Sequence, residues 1–172
     1  MAVNAEVLAV ARTWIGTPYR HQGAVKGVGC DCLGLIRGIW RELYGQEPEA
    51  VPAYAPDWAE RAREERLIAA AERHFSPFRS FEESVSGDLV LFRFRPHLAA
   101  KHAGILARMP GEQTSSVPKL ARAATVTGLD GRDPPPDAFI HAYEQSAVTL
   151  SALVPGWRRR IAGIYRFPER IS

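Results

Sequence analysis

Two cysteines separated by a single residue mark the segment in which chemistry is easiest to place. Residues 29–34 read GCDCLG and lead into an amphipathic pattern, so we expect Asp31 to cap a helix and Cys32 to lie in its first turn. Unpaired amides and the helix dipole stabilise an anion there, so we predict that the Cys32 thiol ionises readily and acts as a nucleophile. The alternative is that Cys32 is a small buried apolar residue.

Cys30 precedes the expected cap and lacks a helix end to stabilise its charge, so we predict that it is a packing residue. Both cysteines are expected to be free thiols, because alternate positions rarely meet disulfide geometry and cytosolic conditions keep thiols reduced. A zinc site formed by Cys30, Cys32 and a histidine is disfavoured, because cysteine ligands to zinc usually have at least two residues between them.

A cysteine nucleophile needs a base, and the base needs an orienting partner. Among the five histidines, His102 opens the run HAGIL and His141 lies within FIHAY, and both runs read as strands. Histidines on neighbouring strands can lie side by side and face the same helix, so this pair is predicted to form the site with Cys32. His21, in the loop before Cys32, could approach the site or bind a backbone group.

The elements that must position these residues follow from hydrophobic periodicity. Helices are predicted from an Asn4 cap to about Trp14, from Asp31 to about Tyr44, and from an Asp57 cap to about His74. Strands are predicted at Leu89–Phe94, His102–Ala107, Ala138–Tyr143, Ala147–Leu150 and Ile161–Phe167. Helices followed by strands indicate an α+β domain with the helices packed on one side of an antiparallel sheet.

The whole chain, residues 1–172, fits one domain with a long loop insertion at about 108–137. The net charge of +3 is spread along the sequence, which argues against specific nucleic-acid binding. No run of roughly 18 apolar residues predicts a membrane span. The N-terminus does not resemble a secretory signal, so synthesis in the cytoplasm is expected.

Five short motifs occur in the order typical of one family. They are DC-x-G at residues 31–34, GTPY at 16–19, GDLVLF at 87–92, HAGI at 102–105 and IHA at 140–142. Together they resemble the NlpC-type family of papain-like cell-wall peptidases, over about residues 5–165. The segment CDCLGLIRGIWRELYG at residues 30–45 is most similar to the subgroup encoded in tail modules of phages and gene transfer agents.

The resemblance implies a papain-like fold with Cys32 as catalytic cysteine, His102 as base and His141 as orienting residue. It also places Tyr19 and Asp31 on the substrate and oxyanion side, with the Cys32 amide in the oxyanion hole. The implied substrate is the peptide stem of peptidoglycan, and no cofactor or metal is required. The implied partners are phage-like tail or baseplate proteins, in a particle that delivers the protein to the cell envelope.

Two departures from the family pattern leave alternatives open. Leu33 stands where the family usually has serine after the catalytic cysteine, so the bond that is cut is not fixed. The insertion at about 108–137 could dock a partner, cover the cleft or be a neutral loop, and docking is slightly favoured. A structural tail-tip protein without catalysis, or an amidase or acyltransferase on the same scaffold, are the competing functions.

The remaining aromatic and basic residues have simpler interpretations. Trp14, Trp40 and Trp58 lie at helix-face spacing and are predicted to be core residues. The run Trp157-Arg158-Arg159-Arg160 could touch wall polymers or phosphate, but a solvated turn is the favoured interpretation.

Overall fold

Helices dominate the first half of the chain and strands the second. The computed structural model describes residues 2–55, 57–58, 64–111 and 133–170. In chain order, the elements are α1 (Val3–Thr13), β1 (Ala24–Val25), β2 (Gly29–Cys30), α2 (Cys32–Tyr44), α3 (Arg66–His74), β3 (Ser76–Phe78), a 3₁₀ turn (Phe81–Glu83), β4 (Leu89–Phe92), β5 (His102–Ala107), β6 (Ala138–Ala142), β7 (Val148–Ala152), α4 (Pro155–Arg158) and β8 (Ile161–Arg166).

Six strands form one antiparallel sheet in the order β3-β8-β4-β5-β6-β7, while β1 and β2 pair separately as a short hairpin. The predicted α+β class is therefore confirmed. The predicted strands differ from the observed ones only at their ends, but the two-residue strands β1 and β2 and the edge strand β3 are missing from the prediction. Strand β3 has three residues, contains Pro77 and pairs only with β8. A proline in so short a run disfavours a strand, although an edge strand tolerates it.

Helix α2 forms the centre of the main hydrophobic core. Its Leu35 and Ile39 are fully buried and belong to the same cluster as Ala103, Ile105 and Ile140 of the sheet. Gly45 ends the helix at a φ of 85°, a backbone conformation that glycine adopts without strain. The predicted helix from Asp31 to about Tyr44 is therefore confirmed, including its ends.

The opposite face of the sheet carries a second, smaller cluster. Phe92, Leu106 and Phe139 are fully buried there, and the partly buried Trp157 of α4 packs against them. Because side chains alternate along a strand, each strand of the site contributes to both clusters. The sheet is thus covered on both faces at the end where the histidines lie.

The first helix begins without a side-chain cap, so the prediction that Asn4 caps it is wrong. The helix starts at Val3, and the Asn4 amide instead donates hydrogen bonds to the Ser86 carbonyl and, at 2.8 Å, to Asp88 Oδ1. Asp88 is fully buried and also accepts two hydrogen bonds from Arg166, at 2.9 and 3.0 Å. The hydrogen bonds of Asn4 to distant residues therefore outweigh its local preference for a cap position.

The predicted third helix is interrupted. Trp58, the residue after the predicted Asp57 cap, is helical, but residues 64 and 65 are not, and α3 begins at Arg66; residues 59–63 lie outside the described part. The Glu65 carboxylate accepts hydrogen bonds from Arg93 and from the Ala100 amide, which hold this residue out of the helix. No helix in the described part of the chain is long and apolar enough to span a membrane.

The two ends of the predicted insertion meet at one corner of the sheet. Ala107 pairs with Ala138, Arg108 donates to the Pro135 carbonyl at 2.8 Å, and the Met109 amide donates to Asp137 at 2.7 Å. This corner is the end of the β5–β6 pair that lies away from His102. Residues 112–132 of the insertion are outside the described residues, and its docking role stays a prediction.

Gly34 determines how closely the loop before Cys32 can approach α2. A Cβ atom at this position would lie 1.7 Å from the Gly23 carbonyl oxygen. We therefore expect Gly34→Ala to lower the free energy of unfolding by about 1–3 kcal/mol, as overpacking does elsewhere. Denaturant unfolding of the purified variant measures this change.

Gly156→Ala is the matched control, because a Cβ atom at Gly156 in α4 would meet no atom within 4 Å. Its free energy of unfolding should stay within about 1 kcal/mol of the wild type, on the stabilising side if it changes. A Gly34→Ala protein as stable as the wild type would show that the loop is not held against the helix.

Candidate active site

The beginning of α2 presents Cys32 as the first residue of the helix. Asp31 is the cap, and its Oδ1 accepts a hydrogen bond of 2.8 Å from the Gly34 amide. The amides of a first helical turn have no partner within the helix. The predicted cap and the predicted place of Cys32 are therefore confirmed.

The second carboxylate oxygen of Asp31 holds two loops against the helix end. Asp31 Oδ2 accepts hydrogen bonds from the Gln22 amide at 2.8 Å and from the Tyr54 hydroxyl. The Asp31 side chain is 4% exposed, so little of it is open to a ligand. Asp31 lines the cavity described below. Its two oxygens bind the Gly34 amide, the Gln22 amide and the Tyr54 hydroxyl, and so hold the helix end and the two loops together. Its assignment to substrate stays a prediction.

The Cys32 sulfur lies against the backbone on both sides of His102. Its Sγ donates to the Lys101 carbonyl at 3.5 Å. The backbone amides of Ala103 and Leu33 are placed where they lower the pKa of the thiol. Cys32 and His102 also line the same cavity. The structure therefore brings the helix-end sulfur to the strand that carries the predicted base.

The two predicted histidines are joined directly. His102 Nε2 and His141 Nδ1 share a hydrogen bond of 2.8 Å, and the rings stand at 86° to each other. The other nitrogen of His141, Nε2, lies 2.8 Å from the Ser151 hydroxyl on β7. These contacts form a chain from β5 through β6 to β7. With Nε2 of His102 engaged, its Nδ1 is the nitrogen that can receive a proton from the thiol.

Both histidine rings lie on the sheet face opposite α2. His141 packs against Phe139 with ring centroids 4.2 Å apart, and both histidines lie within 6 Å of Trp157. The prediction that the two rings face the helix is therefore wrong. Ala103 and Ile140 occupy the helix-facing positions beside them. Because His102 is the first residue of β5, Cys32 reaches it at the end of the sheet.

Burial keeps the resting site neutral. It raises the pKa of Cys32 to about 12, with a further contribution from the Asp31 charge. Burial lowers the pKa of His102 to about 3, helped by His141 and Lys101, and lowers that of His141 to about 4. The expectation that the helix end makes the thiol ionise readily is wrong for this resting state, because desolvation outweighs the helix amides.

Tyr19 and His21 enter the cavity from the loop before α2. Burial is the main cause that raises the pKa of Tyr19 to about 12, followed by the nearby Cys32 sulfur, so its hydroxyl stays protonated at neutral pH. His21 Nε2 lies 2.8 Å from the Tyr54 carbonyl oxygen, which fits the backbone-binding role considered for it. Cys30 is a fully buried free thiol within the main core, as predicted.

A cavity of about 510 Å³ connects these groups. Trp157 and Arg160 line it. Arg159 and Arg160 are exposed residues of a turn, as the favoured interpretation of this run expects, whereas Trp157 is partly buried against the second cluster, so that interpretation is wrong for Trp157. Arg158 instead packs on the Phe81 ring at 4.0 Å and pairs with Glu82. Trp58 lines the cavity and also packs, partly buried, against the main core, whereas Trp14 is 1% exposed and lies within the core as predicted.

Ser151 is the residue of this site that the sequence-based prediction missed. The predicted strand ended at Leu150, one residue too early to include it. Polar residues alternate in the observed strand, with Thr149 paired to His141 and Ser151 paired to Phe139. This alternation is the signal by which a polar partner for His141 could have been found. Among the described residues, no group of three or more histidine, cysteine or acidic side chains could hold a metal ion.

Comparisons with known proteins identify the fold. No protein-family model and no curated protein sequence matches the chain. Solved structures do match. The NlpC/p60 domain of the peptidoglycan hydrolase SagA aligns with a TM-score of 0.55 and 17% identity, covering 95% of this chain and 98% of that domain. The chain has the NlpC/P60 fold.

Two larger proteins contain a similar region. An NLP/P60-family protein from Staphylococcus aureus, described as similar to lipoprotein, has a TM-score of 0.55 and 18% identity over 98% of this chain and 42% of its own. NlpC2 from Trichomonas vaginalis has a TM-score of 0.56 and 15% identity over 99% of this chain and 48% of its own. This chain therefore spans less than half the length of either protein. The papain-like α+β fold predicted from the sequence is confirmed.

Proposed function

We propose that this protein is a cysteine endopeptidase that hydrolyses the peptide stems of bacterial peptidoglycan. The observation that carries the proposal is the Cys32 sulfur at a helix end, which lies 3.5 Å from the carbonyl of Lys101, the residue before His102, and shares a cavity with His102, whose Nε2 is bound by His141 at 2.8 Å. A nucleophile, a base and an orienting group in this order form the arrangement used for acyl transfer.

The hydrogen-bond chain determines the direction in which a proton can move. For Nδ1 of His102 to accept the thiol proton, Nε2 must carry a hydrogen and donate it to His141 Nδ1. His141 Nε2 then carries a hydrogen and donates it to the Ser151 oxygen. In this arrangement Ser151 and His141 hold His102 in the tautomer of a base.

The neutral resting pair implies that charge separates only when substrate is bound. As Cys32 attacks the acyl carbon, its proton passes to His102, and each new charge stabilises the other. His102 then gives that proton to the departing amine, and water hydrolyses the thioester with His102 again as base. Trp157 and Phe139 exclude water from the histidines during these steps.

Two donors are available for the oxyanion. The Cys32 amide belongs to the first helical turn, where amides lack helical partners. The Tyr19 hydroxyl lines the same cavity and stays protonated, because its pKa is raised to about 12. Donors aimed at a developing negative charge are the strongest electrostatic contribution in acyl transfer.

The choice of peptidoglycan rests on the five sequence motifs and on the structural neighbours, one of which is the peptidoglycan hydrolase SagA. Next to Cys32 in the sequence, the apolar Leu33 lines the cavity, as do Leu67 and Trp58. An apolar wall beside the nucleophile favours an aliphatic part of a peptide stem over a polar one.

We also propose that the protein works in a phage-like tail that carries it to the cell envelope. The support is the sequence of residues 30–45 and its similarity to tail-module members of the family. Mass spectrometry of purified particles from the source organism should find the chain at a few copies per particle. Absence of the chain from particles that assemble normally would overturn the proposed role in a tail and leave the catalytic proposal intact.

The catalytic proposal is tested on purified sacculi. Wild-type protein should release soluble peptide fragments that mass spectrometry identifies. Cys32→Ala should abolish release, lowering the rate by at least about a thousandfold, because the nucleophile is lost. Cys30→Ala is the matched control, since Cys30 lies in the core and should leave the rate within about tenfold.

Release of fragments by the Cys32→Ala protein would contradict the assignment of the nucleophile. A folded wild-type protein that leaves sacculi intact and forms no thioester at Cys32 with an activated peptide ester would favour the structural tail-tip function. Formation of that thioester without cleavage of sacculi would direct the search to the amidase and acyltransferase alternatives.

A further inference from the structure

The connection between β4 and β5 supplies the backbone that meets the Cys32 sulfur. It runs over residues 93–101 and joins Phe92 to His102, which are paired across the two strands. Lys101 ends the connection, and its carbonyl oxygen lies 3.5 Å from Cys32 Sγ. A shift of the last residues of the connection would therefore move both the backbone partner of the sulfur and the residue that carries the proposed base.

Glu65 binds this connection from the start of α3. Its Oε2 accepts a hydrogen bond of 3.1 Å from the Ala100 amide, and its Oε1 accepts one from Arg93. The same guanidinium nitrogen of Arg93 donates to the Leu98 carbonyl at 2.6 Å. One carboxylate thus holds the connection at its first residue and at its last residue but one.

The Ala100 amide depends on this carboxylate because the backbone around it is buried. Ala99 and Ala100 are 5% and 0% exposed, so water cannot readily replace a lost acceptor at this amide. Buried backbone amides are almost always paired, and a charged acceptor makes the stronger hydrogen bond. The carboxylate of Glu65 therefore determines where this part of the connection lies.

Glu65 departs from a local preference to make these contacts. It occupies the cap position of α3, where a serine, threonine, asparagine or aspartate would bind the first amides of the helix. The Glu65 side chain makes no capping hydrogen bond and extends to the Ala100 amide instead. Departures of this kind are expected where a residue serves function rather than local folding.

Helix α3 also borders the cavity that contains the reacting groups. Leu67, in the first turn of α3, lines the same cavity as Cys32 and His102. Glu65 therefore ties a wall of the cavity to the backbone beside the sulfur. A peptide that fills the cavity meets a wall and a reacting pair that are held in one frame.

We propose that Glu65 is a positioning residue for acyl transfer at Cys32. This inference rests on the proposed function and adds to it a residue outside the hydrogen-bond chain of the histidines. Through Arg93 and the Ala100 amide, Glu65 keeps the end of the connection and the start of β5 in place beside the sulfur. Glu65 is not among the residues that line the cavity, so it acts through the backbone and not on the substrate.

The contacts of Glu65 need two acceptor oxygens. A glutamine at this position keeps one oxygen for the Ala100 amide but turns its NH₂ group toward Arg93, which is also a donor. Glu65→Gln should therefore loosen the connection, while it preserves the size of the side chain and leaves every residue that lines the cavity unchanged.

Acylation of Cys32 by an activated peptide ester measures this effect. The sulfur attacks the ester carbonyl, the alcohol leaves with the thiol proton, and the thioester is read as a mass increase of the peptide that contains Cys32. Glu65→Gln should lower the acylation rate at saturating ester by roughly tenfold to a hundredfold, because misplacement of reacting groups has effects of this size. The ester concentration that gives half the maximal rate should change by less than about threefold, because the binding surface is kept.

Glu64→Gln is the matched control, because Glu64 is the neighbouring glutamate, is 77% exposed and pairs with Arg66 at 3.5 Å. Its acylation rate should equal that of the wild type. Arg93→Gln should also lower the rate, and the double variant with Glu65→Gln should be no slower than the slower single variant, because both changes act on one set of contacts. Rates are measured at a temperature where circular dichroism shows every variant to be fully folded.

Hydrogen exchange of the Ala100 amide tests the contact separately from activity. Glu65→Ala removes the acceptor and should speed exchange of this amide by at least about tenfold relative to the Ile140 amide in the core, whereas Glu64→Ala should leave the ratio unchanged. An unchanged ratio in Glu65→Ala would overturn the inference.

The acylation rates separate this inference from the function on which it rests. A wild-type protein that forms the thioester, together with a Glu65→Gln protein that forms it equally fast, would overturn the positioning role and leave the proposed function intact. A loss in Glu65→Gln that saturating ester restores would also overturn it. A wild-type protein that forms no thioester and leaves sacculi intact would refute the proposed function and the positioning role together.

Discussion

A hydrogen bond between two imidazoles is the contact on which the candidate site depends. His102 and His141 are on neighbouring strands, and because their 2.8 Å bond uses Nε2 of His102, Nδ1 is the nitrogen left to act as the base. Without this bond the ring of His102 would be free to turn, and neither nitrogen would be fixed as the base for the Cys32 thiol. The Ser151 hydroxyl extends the constraint by binding the far nitrogen of His141. The sheet therefore determines ring orientation through three adjacent strands.

The candidate site also requires the start of α2 to approach the histidines, although α2 packs on one face of the sheet and the histidine rings lie on the other. The histidines lie on the face that carries Phe139 and Trp157, whereas α2 packs on the other face. Contact is possible only because His102 begins β5 and Cys32 begins α2. Asp31 secures this meeting point, since its carboxylate binds the first turn of α2 and two loops at once.

Burial gives the site its electrostatic character. Desolvation of a partly buried thiol, of the partly buried His102 and of the fully buried His141 favours their neutral forms, so the pKa of Cys32 is raised while those of both histidines are lowered. A site of this kind holds no preformed ion pair and depends on the substrate to make charge separation favourable.

Much of this arrangement could be predicted from local sequence. The Asp31 cap, the helix that ends at Gly45 and the strands of both histidines follow from short patterns with a clear physical cause. Features that depend on distant contacts could not be predicted. Asn4 leaves its cap for Asp88, Glu65 is held out of α3 by Arg93, and Trp157 covers histidines that precede it by 16 and 55 residues.

The sign of the thiol's pKa shift was missed for the same reason. The local sequence shows the helix end that lowers the pKa, but desolvation arises from the tertiary fold around Cys32. Ser151 was missed by one residue at a strand end, which is the least certain part of any prediction from sequence.

Nitrogen NMR of the histidine rings, recorded on the wild-type protein during a pH titration, tests whether the bond between His102 and His141 sets the tautomer of His102. We expect His102 to carry its hydrogen on Nε2, and both rings to stay mainly neutral from pH 7 down to about pH 5, because their pKa values are about 3 and about 4. Ser151→Ala should raise the fraction of His102 protonated on Nδ1. A wild-type His102 that carries its hydrogen on Nδ1, or rings that both titrate near pH 6.5, would contradict the role of the His102–His141–Ser151 hydrogen-bond chain.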